Sequence, residues 1–295
     1  MNKTFTLLPD FDLNRFIKDA LKEDTQPPSK SIFSAGDHTS LSTIPKNAQN
    51  KARLIIKQSG ILAGVQLAKK IFHEVDKHLQ IRILIHDGTK VKKGDIAFIV
   101  SGNARSILTA ERVVLNCMQR MSGIATTTNK LVMLSHPTST KLLDTRKTTP
   151  LFRAIEKWAV KIGGGYNHRF GLYDMILIKN NHIDFAGGIQ PSIQQANSYI
   201  KKHKLKIKIE IEARNIQEVK EILKTGNVAR ILLDNFSPSQ IKNALELINH
   251  KVETEISGGI NEKNIKKYAS LGADYISIGA LTHSSKSMDM SLTAV

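Results

Sequence analysis

Apolar residues return along the chain in two distinct registers, and the change from one to the other divides the sequence. Leu13, Phe16, Ile17 and Leu21 recur at helical spacing, which predicts an opening helix. The stretch from Thr25 to Pro45, rich in Pro, Ser and Gly, reads as a loop. RLIIK (53–57) predicts a strand, and residues 65–78 put Ala68, Ile71, Phe72 and Val75 on one helical face. IRILI (81–85) and DIAFIV (95–100) predict further strands joined through the turn-rich DGTKVKKGD. A long helical pattern from about Ala104 to Met121 follows. This part predicts a small unit of helix packed on sheet, an N-terminal α/β sandwich.

From Lys141 the pattern becomes a regular alternation. KLLD, MILIK, IKIEIE, RILLD, VETEI and YISIG are short β-rich runs, with helical patterns near 151–162, 191–203, 216–224, 238–249 and 261–270. Strand and helix alternating in this way imply a parallel sheet with right-handed crossovers. Six units predict a (β/α) barrel, complete or partly open. A flat doubly wound sheet stays as the structural alternative, because periodicity does not report closure. The expected division is 1–114 for the first domain and 115–283 for the barrel, with the tail 284–295 packing on the first.

The ends of these runs carry the chemistry. KLLD leads into Thr145, Arg146 and Lys147; MILIK ends in Lys179; IKIEIE ends with Glu210 and Glu212; RILLD ends in Asp234 and Asn235. VETEI is followed by Ser257, Gly258 and Gly259, and YISIG by Gly279 and Ala280. In a parallel barrel those ends meet on one face, where active sites of this architecture sit. Arg146, Lys147, His168, Arg169 and Lys179 form a cationic set suited to carboxylates or phosphates. Glu212 and Asp234 form an acidic set that suits Mg²⁺, which needs few protein ligands beside substrate oxygens. Glu210 and Glu212 share one strand face, and Glu212, nearer the strand end, is the preferred candidate. SGGIN (257–261) and IGALTH (278–283) suit phosphate, held by backbone N–H groups and a helix dipole. The glycine run GGGYNHR (163–169) suggests a loop folded tightly against a ligand.

Composition adds less. The formal charge of +17 allows nucleic acid, an anionic surface or anionic small substrates as partners. Helix-turn-helix, RRM and zinc-finger signatures are missing and only 5% of residues are aromatic, which argues against nucleic acid. Cys117 is the single cysteine, so an internal disulfide and a Cys-based metal site are excluded, and its apolar helical setting reads as a buried thiol. MNKTFTLLPDFD lacks a signal-peptide core and no apolar run is long enough to span a bilayer, so a cytoplasmic protein is expected.

DTRKTTP (144–150), EKWAVKIGGGYNHRFGLYDMILIKNNH (156–182), IEIEARN (209–215), ILLDNFSP (231–238), EISGGIN (255–261) and ADYISIGALTHS (273–284) resemble the quinolinate phosphoribosyltransferases. LTAERVVLN (108–116) and, more weakly, GDHTS (36–40) resemble earlier motifs of that family. The resemblance implies that quinolinate and phosphoribosyl pyrophosphate give nicotinate mononucleotide, pyrophosphate and CO₂, a step of de novo NAD synthesis, with Mg²⁺ as cofactor. By similarity, Arg146, His168, Arg169 and Lys179 surround the quinolinate carboxylates, with Thr145 and Lys147 beside them. Glu212 and Asp234 match acids near the ribose and metal, and Ser257, Gly258, Gly279 and His283 match the phosphoribosyl end. Arg112 matches an arginine that reaches into the neighbouring subunit's site, which implies a homodimer. Leu151 stands where the family has Gly, Trp158 where Tyr is common, and the loop before Gly36 is longer than usual. The alternatives are a relative with the same phosphoribosyl site and another aromatic acceptor, and a Schiff-base aldolase using Lys179.

Overall fold

The computed structural model describes residues 11–295, so nearly all of the signal-peptide reading of MNKTFTLLPDFD lies outside the described residues. The chain divides into two compact units. The first runs to Thr127 and takes in Ala154–Gly163 and Ser285–Val295; the second is Thr128–Arg153 with Gly164–Ser284.

In the first unit, α1 (Leu13–Thr25) starts where the Asp12 side chain accepts the Arg15 N–H, and it buries Leu13 and Ile17. The expected loop 25–45 contains a short helix, α2 (His38–Thr43). Asp37 nucleates it by accepting the Ser40 N–H at 3.0 Å, a capping signal that the surrounding Pro, Ser and Gly mask in the sequence. The strands are β1 (Gln49–Ile56), β2 (Gly60–Ile61), β3 (Gln80–Ile83), β4 (Lys90–Val91) and β5 (Ile96–Asn103), with α3 (Val65–Val75) between β2 and β3. Together with the last strand of the chain, β12 (Met290–Ala294), they form an antiparallel sheet in the order β12-β1-β5-β3; β2 and β4 pair separately. Helix α3 buries Leu67, Ala68, Ile71 and Phe72, and the Phe72 ring meets Phe98 of β5 edge-on at 5.9 Å.

Helix α4 (Ala104–Ser135) continues well past the expected end at Met121. Ser122 accepts the Ala63 N–H and Thr126 accepts the Ile61 N–H, each at 2.8 Å, which ties the helix to the first unit through its middle. The expected boundary after residue 114 thus falls inside a continuous helix. Most of α5 (Arg153–Ile162) also belongs to the first unit, where fully buried Glu156 pairs with Arg120 at 2.7 Å. Cys117 is buried on α4, and burial raises its thiol to about 12, which keeps it protonated and inert.

The second unit carries β6 (Lys141–Leu143), β7 (Ile176–Ile178), α6 (Asn180–Phe185), α7 (Ile189–His203), β8 (Ile209–Ala213), α8 (Ile216–Thr225), β9 (Arg230–Asp234), α9 (Pro238–Ile248), β10 (Glu253–Ser257), α10 (Ile265–Ala269), β11 (Tyr275–Ser277) and α11 (Ala280–His283). Its six strands are parallel in the order β6-β11-β10-β9-β8-β7. From β7 to β11 each strand lies beside its predecessor, stepping always in the same direction. A doubly wound sheet requires a reversal of that direction. The order is therefore that of a barrel left open between β6 and β7. One set of alternating residues, Ile209, Ile211, Ile231, Leu233, Ile256 and Ile276, is buried and apolar. The opposite set holds Glu210, Glu212, Arg230, Asp234, Glu255 and Ser257. Period-two alternation separates the two faces.

Leu151 adopts a left-handed backbone, φ 62°, and is almost fully exposed. A non-glycine residue there costs about 1–2 kcal/mol, and glycine gives back about 0.5–1 kcal/mol through its looser unfolded chain. Leu151→Gly should therefore stabilise the protein slightly, raising the melting temperature by about 1–4 °C in calorimetry. A lower melting temperature would show that Leu151 makes a compensating contact.

Candidate active site

A cavity of about 730 Å³ opens where the C-terminal ends of all six parallel strands meet. From the end of β6, Thr145, Arg146 and Lys147 line it; from β7, Lys179; from β8, Glu212; from β9, Asp234. Ser257, Gly258 and Gly259 follow β10, Gly279 and His283 follow β11, and His168 and Arg169 enter from the segment before β7. Arg112 is not among the lining residues: it sits exposed on α4, and its side chain makes no ion pair or hydrogen bond among the described residues.

The basic side is held by its own loops. Thr145 Oγ1 accepts the Lys147 N–H at 3.0 Å, and Arg153 links Thr148 to the Phe170 carbonyl. Fully buried Asp144 accepts the His168 N–H at 2.9 Å and the Asn167 side-chain amide. The glycines 163–165 do not line the cavity, contrary to the expectation that they fold against a ligand. They end α5 and let the chain turn, with Gly164 at φ 94°, so that Tyr166 bridges Leu143 beside β6.

Charge in the cavity is left unbalanced toward positive. Arg146 Nε is buried without a hydrogen-bond partner. Burial lowers the Arg169 pKa and the charge of Arg146 lowers it further, so the two guanidinium groups disfavour one another. An anion between them would relieve both effects. Lys179 Nζ donates to Glu212 Oε1 at 2.6 Å, and Asn180 N–H donates to Glu212 Oε2 at 3.1 Å. Asp234 is raised above the usual carboxylate range, first by burial and then by the charge of Glu212. A divalent cation would oppose both causes, and a carboxylate has lone pairs to spare beyond its protein contacts. Asp234 is the freer of the two candidate ligands, since both Glu212 oxygens already accept protein hydrogen bonds.

The glycine turns are shaped by neighbours. A Cβ on Gly279 would come 2.9 Å from Lys147 Cδ, so the lysine stem lies across that residue. Gly258 and Gly259 have positive φ, at 100° and 63°. The helix expected directly after SGGIN starts only at Ile265 and spans five residues, because residues 261–264 form turns with Asn261 and Asn264 bonded to the Gly259 carbonyl. Any anion held here would therefore rest on the backbone turn alone, without a helix dipole behind it.

Beneath this rim lies a buried ionic group. His168 Nε2 is 3.1 Å from Glu210 Oε2 and 3.5 Å from Glu255 Oε2, and Arg230 donates to Glu255 Oε2 at 2.8 Å. Burial lowers the His168 pKa, but the bonds and charges of the two glutamates raise it to about 9. Arg169 N–H, 2.6 Å from His168 Nδ1, opposes that charge, since the contact is attractive only while Nδ1 is bare. The geometry therefore favours the Nε2–H ring, with the excess negative charge met at Glu210, which burial and Glu255 push toward its neutral form. Sequence reasoning passed over Glu255, Arg230 and Asp144 as parts of this arrangement. Period-two counting back along IEIE, RILLD and VETEI would have found the first two.

Residues 124–293 match the C-terminal domain of quinolinate phosphoribosyl transferase, and residues 37–122 match its N-terminal domain. The chain belongs to the quinolinate phosphoribosyl transferase family. A tobacco (Nicotiana tabacum) member, quinolinate phosphoribosyltransferase [decarboxylating] 2b, mitochondrial, is 44% identical over 298 residues, covering 96% of this chain and 82% of the relative. The crystal structure of NadC from Streptococcus pyogenes superposes with a TM-score of 0.88 at 37% identity, covering 98% of this chain and 99% of that one. The nicotinate-nucleotide pyrophosphorylase from Francisella tularensis gives 0.86 at 39% identity, with 96% of each chain covered. Family and architecture thus agree with the open barrel.

Proposed function

We propose that this chain is a nicotinate-nucleotide pyrophosphorylase of the carboxylating type: it joins quinolinate to phosphoribosyl pyrophosphate and releases pyrophosphate and CO₂, for NAD synthesis. The observation that carries the reading is one cavity in which Arg146, with a buried unpartnered Nε, faces Arg169 and Lys179, while acids and glycine turns occupy the other strand ends. Two guanidinium groups and a lysine suit a dicarboxylate better than a monocarboxylate.

The pyridine nitrogen attacks C1 of the ribose without losing a proton, so no general base is needed. The difficulty is electrostatic: pyrophosphate departs while C1 gains positive charge. Lys147, lying across Gly279, serves the departing phosphates, and the Gly258–Gly259 turn holds the 5-phosphate end with Ser257 and His283. Mg²⁺, held by Asp234 and Glu212, would supply neutralising charge to the pyrophosphate. After bond formation the ring nitrogen is quaternary and stabilises the carbanion left at C2 as CO₂ leaves; a proton then replaces the carboxylate. Arg146 and Arg169 hold the acids so that positioning lowers the barrier. Quinolinate-dependent CO₂ release with phosphoribosyl pyrophosphate and Mg²⁺ tests the reading. Turnover of nicotinate in place of quinolinate would favour the relative with another acceptor.

The active form in this reading is a homodimer in which exposed Arg112 completes the neighbour's cavity. Arg112→Ala and Arg146→Ala should each be strongly impaired alone. Co-expressed in equal amount they should recover roughly a quarter of wild-type activity, because half the dimers carry one intact site. No recovery would place Arg112 outside the shared site. Among the described residues no helix is long and apolar enough to cross a membrane. A cytoplasmic setting belongs to this proposal, and cell fractionation would decide it.

A further inference from the structure

We propose that Glu210, which does not line the cavity, is a positioning residue for the dicarboxylate: it sets the His168 ring, and the ring sets the backbone of Arg169. Glu210 is fully buried, and the two-residue period of β8 points it to the same face as Glu212, deeper in the barrel. Its Oε2 is the carboxylate oxygen nearest His168 Nε2, at 3.1 Å. Glu255 lies farther off, at 3.5 Å, and is committed to Arg230. On the other side of the ring, Nδ1 accepts the Arg169 N–H at 2.6 Å. Asp144 holds the same segment by accepting the His168 N–H. A buried carboxyl group 3.1 Å from Nε2, its oxygens otherwise without hydrogen-bond partners, thus favours a proton on Nε2, and the ring's Nδ1 fixes where the Arg169 side chain departs from the chain. The Arg169 guanidinium is anchored besides to the Met175 carbonyl at 3.1 Å. At metal sites, outer partners that orient a binding group such as a histidine are worth roughly 10–100-fold in affinity, and the same order is expected here. Glu210 therefore acts on quinolinate without touching it.

This inference rests on the proposed quinolinate reading, and the experiment separates the two. Wild type, Glu210→Leu and Glu210→Gln, as full chains, are titrated with quinolinate by calorimetry, and KM is measured for each substrate. Leucine fills the space without an acceptor; glutamine keeps an oxygen that can accept the Nε2–H. The expected result is a quinolinate dissociation constant and KM raised roughly 10–100-fold in Glu210→Leu. KM for phosphoribosyl pyrophosphate should stay unchanged, and Glu210→Gln should bind near the wild-type level. A folded Glu210→Leu that binds quinolinate as wild type does, or one in which both KM values rise alike, overturns the proposal. If wild type itself fails to bind quinolinate, the functional reading falls instead. Should Glu210→Leu not fold, the ¹⁵N shifts of His168 in wild type decide. A bare Nδ1 with a protonated Nε2 supports the chain of contacts; the reverse tautomer or a doubly protonated ring overturns it.

Discussion

Arg146→Ala is expected to raise KM for quinolinate and to lower kcat as well. Arg146 follows β6, lines the cavity, and its buried Nε has no acceptor in the protein. A buried donor is normally satisfied, so an arginine held in this state is suited to an incoming acid. Removing one partner of such a charge-assisted contact costs about 2–5 kcal/mol, much of it from the charge left unpaired. In kcat/KM that is a loss of roughly 30-fold to several thousand-fold. Arg146→Lys keeps the charge but loses the planar fork, and should fall between the two. The loss should be carried by quinolinate, with KM for phosphoribosyl pyrophosphate moving little. Unchanged kinetics in Arg146→Ala would remove this residue from the site.

The second large effect should come from Gly258→Ala, through geometry rather than charge. At φ 100° the backbone of Gly258 is in a region that L residues avoid. An added Cβ would sit 2.1 Å from Asn235 Oδ1 and 3.0 Å from the Asn235 backbone N. Asn235 cannot simply withdraw. It is itself at φ 57°, and its N–H donates to the Ser257 carbonyl at 2.9 Å. Its side chain also hydrogen-bonds Asp234. The methyl group would therefore displace the end of β9 together with the turn after β10. A misplacement of about 1 Å can cost about 100-fold in rate, and that loss is expected in kcat/KM for phosphoribosyl pyrophosphate. Backbone strain of about 1–3 kcal/mol should also lower the melting temperature by several degrees. Quinolinate titration should be affected less, because Arg146 and Arg169 are held by other strands. An unaltered KM for phosphoribosyl pyrophosphate would argue against the turn as the phosphate cradle.

Much of this was legible in the chain. The strands of the alternating region were found because each is a short β-rich run bounded by turn residues, and the charged and glycine positions at their ends were readable by simple adjacency. Leu151 stood out as a departure, and the structure explains the family's glycine there: the backbone is left-handed at that point. Where the reading failed, the cause was local. Asp37 caps a helix that Pro, Ser and Gly concealed. The GGG run ends a helix and does not reach the cavity, because a glycine's freedom serves a turn as readily as a ligand. α10 begins later than its apolar period suggests, since Asn261 and Asn264 bond to the preceding turn and compete with the helix.

The sequence by itself determined the parallel architecture and which side chains stand at the strand ends, because those properties follow from periodicity and neighbours in the chain, and its motifs carried the family resemblance. It could not determine closure. Strand order, with β6 beside β11, depends on contacts between segments more than a hundred residues apart in sequence. Position along the strand already favoured Glu212 over Glu210 as the residue nearer its end, but what encloses each carboxylate was not readable from the chain. Depth within the barrel sets their surroundings: one carboxylate opens on the cavity beside Lys179, while the other is enclosed against His168. Burial is set by what other strands bring near, and no local pattern contains it.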